Sequence, residues 1–146
     1  PEKDFKEMST KRAQDLTFLG DILKSRDHYA AAILEYRKAK EESTTHSPIL
    51  FNKLAGTYIQ TQKYDEAELL LKESLEYYSD FHTTLNNLGE IYFISERYEL
   101  AKKYLEKAAR INPFNPFTHV RLIELYGRMK MDKEKKLQTQ QLSLLD

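Results

Sequence analysis

Apolar residues recur every three or four positions along almost the whole chain, the spacing of one face of an α-helix, so the pattern predicts an all-helical protein. Prolines mark helix starts: Ser47-Pro48 and Asn115-Pro116 each place a good N-cap residue before a proline at the first helical position. With only four glycines and four prolines in 146 residues, little else interrupts the helices. One segment breaks the expected composition. In LNNLGEIYF, Leu85 to Phe93, two asparagines sit side by side in mid-helix, where their amides compete for backbone hydrogen bonds.

The pattern repeats. Leu19, Leu54, Leu88 and Leu122 are spaced by 35, 34 and 34 residues, and Leu23, Tyr58, Tyr92 and Tyr126 each follow four positions later. Tyr29, Tyr64 and Tyr98 keep the period, as do Ala32, Ala67 and Ala101. Two helices per unit of about 34 residues resemble the tetratricopeptide repeat. The unit 82–115 carries Leu85, Leu88, Gly89, Tyr92, Ala101, Leu105, Ala108 and Pro113 at that family's marker positions. The unit 48–81 departs at Ser74 and Ser79, where the family prefers alanine and proline; the unit 13–46 has one extra loop residue; a fourth, 116–130, fades, with Lys135 where a small residue belongs. The resemblance implies an all-α solenoid, a right-handed superhelix of antiparallel helix pairs. Residues 13–130 form the array, 1–12 a polar lead-in, and 131–146 a capping helix. Small residues (Gly20, Ala55 and Gly89 in first helices; Ala32, Ala67 and Ala101 in second) let paired helices approach closely.

In this family the first helices line a concave groove, and positions off the packing face look into it. The resemblance places Thr17, Phe18, Asp21 and Lys24 there from the first unit, and Asn52, Lys53 and Gly56 from the second. The third gives Asn86, Asn87, Glu90 and Phe93, and the fourth Val120, Arg121, Glu124 and Arg128. Asn52 and Asn86 are equivalent residues, and amides, which both donate and accept, suit the backbone of an extended peptide. They either grip a partner or are polar residues on a solvated face. A carboxylate clamp of the kind used by chaperone-binding repeats is not expected, because its positions here are Thr17, Asp21, Lys53, Thr83 and Asn87. Phe114 and Phe117 are either interface anchors or staples between repeats. Leu137, Leu142, Leu144 and Leu145 either cover the last repeat or leave an open end.

No catalytic constellation accompanies this. His28, His46, His82 and His119 fall in different units without a second ligand at one-turn spacing, and no glycine-rich phosphate loop or serine elbow occurs. Neither enzyme activity nor a cofactor or metal is expected. Twenty-three basic residues balance twenty-three acidic ones, which argues against nucleic acid as a partner. The absence of cysteine suits a reducing, cytoplasmic setting, and no apolar run approaches the roughly 18 residues of a membrane span. A start at Pro1 rather than methionine suggests a piece of a longer protein. The expected function is a monomeric protein–protein interaction scaffold that holds a peptide segment or partner protein in the groove. The alternative is the non-catalytic recruiting arm of a larger enzyme or transport complex.

Overall fold

The computed structural model describes residues 2–145, with side chains described from residue 10. Among them are eight α-helices and no strand: α1 (Glu2–Ser25), α2 (Tyr29–Glu42), α3 (Pro48–Gln60), α4 (Tyr64–Tyr77), α5 (His82–Ile94), α6 (Tyr98–Ile111), α7 (Pro116–Arg128) and α8 (Asp132–Ser143). Residues 2–12, within the expected polar lead-in, are helical and run continuously into the rest of α1. Consecutive helices pair as α1 with α2, α3 with α4, α5 with α6 and α7 with α8. Helices α1–α4 make one compact unit and α5–α8 a second, dividing after Ser79. Within each unit the pairs stack, α2 on α3 and α6 on α7.

Each pair is closed by the same turn. His28, Lys63, Arg97 and Met131 donate their backbone N–H groups back to the carbonyls of Leu23, Tyr58, Tyr92 and Tyr126 at 2.7–2.9 Å. The residue before each donor, Asp27, Gln62, Glu96 or Lys130, takes a left-handed conformation with φ of 58–63°. This is the Schellman reversal, which here satisfies helix-end carbonyls without the usual glycine. At the starts of α3 and α7, Ser47 and Asn115 cap with their side chains, accepting from the N–H groups of Leu50 and Phe117.

The repeat markers build the cores. In the first unit Ala32, Tyr36, Ala39, Leu54, Ala55, Ala67 and Leu71 are buried; in the second Leu85, Leu88, Tyr92, Ala101, Leu105, Ala108 and Leu122 are. Leu19 breaks the series at 42% exposed, because among the described elements only α2 packs extensively on α1. Helix α8 fully buries none of its residues: Leu137 and, just past its end, Leu144 stay exposed, while Leu142 and Leu145 are half-buried.

Ser74 stands where the family prefers alanine, and its fully buried hydroxyl finds no hydrogen-bond partner among the described residues. Ser74→Ala should therefore stabilise the protein, by about 1 kcal/mol, since it removes a desolvated polar group and leaves almost no cavity. A urea titration followed by circular dichroism measures it. A midpoint that stays the same or falls would mean that Ser74 has a partner.

Candidate functional site

The two asparagine positions expected to line a groove turn inward. Asn52 is 8% and Asn86 6% exposed. Asn52 Nδ2 donates to the carbonyl of Pro48 one turn earlier, at 2.7 Å. The carboxamide oxygen of Asn86 accepts from the hydroxyl of Thr118, which is fully buried on α7, at 2.7 Å. Each amide is thus shielded and hydrogen-bonded within its own unit rather than held out to a partner. The expected amide ladder is corrected accordingly; its neighbour Asn87 remains part-exposed, with contacts of its own.

The charged positions form rungs between successive first helices. In the second unit Arg121 on α7 grips Glu90 on α5 with two parallel bonds, Nε to Oε2 at 2.7 Å and Nη2 to Oε1 at 2.8 Å. Its third nitrogen donates to Glu124 at 2.8 Å. Such a fork-to-carboxylate pair is the strong form of ion pair. The Arg121 guanidinium also lies over the Phe93 ring, 4.7 Å from its centroid, and that of Arg128 lies over the same ring at 5.4 Å. Phe93 is therefore a buried platform for two arginines, 8% exposed, and not the apolar contact surface expected of it. In the first unit the corresponding rung is Lys53 on α3 with Asp21 on α1, at 2.7 Å. Asp21 also accepts the hydroxyl of Tyr36, whose titration is pushed up first by burial and then by that bond.

Exposed apolar groups lie beside the first rung. Phe18 on α1 is 65% exposed and Ile49 on α3 59% exposed, and both line a cleft of about 360 Å³ with Thr17, Asp21 and Lys53. A second cavity, about 510 Å³, shares that ion pair and is lined by Asp21, Lys24, Lys53 and Gln60 among others. Burial holds the Lys24 ammonium below the usual lysine range; the Asp21 charge opposes this and Lys53 adds to it. Ile49 was not among the expected site residues, although it occupies the second position of its repeat, one of those that face the groove in the family.

Family models place a tetratricopeptide repeat at residues 50–79 and another at 82–115. The chain carries tetratricopeptide repeats at these residues, and its helices pair as such repeats do. It is 28% identical over 123 residues to the uncharacterized protein ycf37 of Guillardia theta, covering 82% of this chain and 69% of that one. Among solved structures it resembles the first repeat domain of Spaghetti (RPAP3), bound to the HSP90 peptide SRMEEVD, with TM-score 0.78 and 21% identity over 83% of this chain and 95% of that one. It also resembles YrrB, described as a repeat protein with an unusual peptide-binding site, with TM-score 0.75 and 19% identity over 90% and 67% of the two chains.

The remaining expected residues of this repeat protein fall outside those clefts. Phe114 and Phe117 are exposed, at 76% and 51%, so neither is buried as a staple. Phe114 borders a cleft of about 570 Å³ between α6, α7 and α8, at whose base His119 is 3% exposed. Its Nε2 donates to the Pro113 carbonyl and its Nδ1 meets the Gln138 oxygen, both at 2.6 Å. His119 thus ties the α6–α7 turn and α8 onto α7. Among the described residues no group of three or more metal-ligating side chains comes together, and no helix is long and apolar enough to cross a membrane.

Proposed function

We propose that this repeat protein is a protein-binding scaffold that docks an extended partner segment on the faces of its first helices. The observation that carries the reading is the pair Phe18 and Ile49, both more than half exposed, on the α1 and α3 sides of one cleft of about 360 Å³. Large apolar side chains at the mouth of a cleft, rimmed by polar groups, are the usual energetic centre of a docking surface. Support comes from two proteins of similar fold, one bound to an HSP90 peptide and one with an unusual peptide-binding site. On this reading the Asp21–Lys53 rung is a polar border that fixes the partner's register. No catalytic step is assigned.

Phage display of random 12-residue peptides against the wild type tests this. Enriched peptides should carry a large apolar residue. They should bind Phe18→Ser, Ile49→Ser protein about tenfold more weakly. Because both side chains are exposed, the doubly substituted protein should melt close to the wild type, so weaker binding reports on the site. Equal binding by the two proteins would remove the cleft from consideration.

A further inference from the structure

The two units carry the same rung with one difference. Stepping back 68 residues from Arg121 and Glu124 gives Lys53 and Gly56, and stepping back 69 from Glu90 and Phe93 gives Asp21 and Lys24. In the second unit the base holds two carboxylates, Glu90 and Glu124. In the first it holds only Asp21, because Gly56 has no side chain. Beside that gap stands Lys24. Its ammonium is 3.7 Å from where a Cβ on Gly56 would lie, and nothing else blocks the space. Among the described residues this half-buried ammonium has no hydrogen-bond or ion-pair partner of its own. Asp21, Lys24 and Lys53 leave one positive charge unbalanced, whereas Glu90, Glu124, Arg121 and Arg128 balance. The cavity's other carboxylate, Asp27, is exposed and accepts the Tyr29 hydroxyl at 2.9 Å. A desolvated cation without a partner is costly, and an incoming carboxylate would relieve that cost.

We propose that the space over Gly56 is a subsite for a glutamate or aspartate side chain of the bound segment, whose carboxylate pairs with Lys24 and takes the place that Glu124 has in the second unit. The proposal rests on the Phe18–Ile49 cleft being the docking site, since the two spaces share Asp21 and Lys53. Lys24 is six residues beyond Phe18 on α1, about 9 Å along the axis. An extended segment spans that distance in about three residues, so the acid should lie about three positions from the apolar anchor. A side chain suits the site better than a chain terminus. A single ammonium is a point charge without a fork, and Lys53 is already committed to Asp21. Lys24 and Gly56 are also not positions of the carboxylate clamp.

Peptides displayed with their C-termini fused to the phage coat offer only side-chain carboxylates, which makes the same selection decisive. Pools from the wild type should enrich Asp or Glu about three residues from the apolar anchor. Pools from Lys24→Met and from Gly56→Asp, which supplies the missing carboxylate from within, should keep the anchor and lose the acid. A selected peptide made synthetically with an amidated C-terminus should lose on the order of fivefold in affinity for the wild type when its acid becomes Gln. The same change should do nothing with Gly56→Asp. Apolar peptides enriched without an acid overturn this inference and leave the docking site standing. So does equal acid enrichment by all three baits, or a free C-terminal carboxylate binding Lys24 where side-chain acids do not. No enrichment over empty support overturns the docking site and this subsite together.

Discussion

Gly89→Ala is expected to destabilise the protein by about 1–3 kcal/mol, while Gly56→Ala stabilises it by about 0.5–1 kcal/mol. Both glycines lie in first helices, and helix propensity alone favours alanine at each. The neighbours reverse the sign at one of them. A Cβ on Gly89 would lie 2.5 Å from Cγ and 2.6 Å from Cδ2 of Leu105, a fully buried side chain of α6 that cannot move aside without opening the pair. Gly20 meets the same obstacle, 2.5 Å from Cε1 of Tyr36, whose ring is buried and whose hydroxyl is held by Asp21. A Cβ on Gly56 meets only the end of the Lys24 chain, at an ordinary 3.7 Å. Urea titrations of Gly89→Ala, Gly20→Ala and Gly56→Ala measure the contrast. A Gly89→Ala protein as stable as the wild type would show that α5 and α6 are not in forced contact.

Asn86→Ala should cost a further 1–3 kcal/mol, and by a mechanism unrelated to any partner. The substitution leaves the buried Thr118 hydroxyl without its acceptor, so a donor pays its desolvation with nothing in return. Adding Thr118→Val removes the stranded hydroxyl and should recover part of the loss, which a double-mutant cycle reads as coupling between α5 and α7. Strict additivity of the two substitutions would sink this account. The consequence for binding experiments is practical. A weakened interaction in Asn86→Ala protein reports on folding unless stability is matched, whereas the exposed Phe18 and Ile49 can be changed with little cost.

The repeat was legible because most markers do the same packing job from unit to unit, Leu19 on α1 excepted. Leu88 and Tyr92 are buried as the pattern requires, and Gly20 and Gly89 do admit a neighbouring helix at a distance that excludes a methyl group. The site was legible only in part. Phe18, Asp21 and Lys53 do line one cleft, but Asn52, Asn86 and Phe93 are buried, and Glu90 and Arg121 are spent on each other. Sequence spacing assigns a residue to a helix face. It cannot tell a position that opens on solvent from one that the next helix covers, because that depends on how closely the pairs stack.

The turns make the same point from the backbone. Nothing in Asp27, Gln62, Glu96 or Lys130 announces a left-handed residue, and no glycine marks the reversal. The closure of each helix pair imposes that conformation, and the returned hydrogen bonds at 2.7–2.9 Å help hold it. By itself the sequence determined the helical class, the period near 34 and the residues that fill each core, since these follow from local periodicity and side-chain size. Tertiary structure alone decided which polar residues are consumed as rungs and inter-helix bonds and which remain for a partner. Lys24 shares the Asp21 charge with Lys53 because the position that supplies a second carboxylate in the other unit, 32 positions away from Lys24 on another helix, is a glycine.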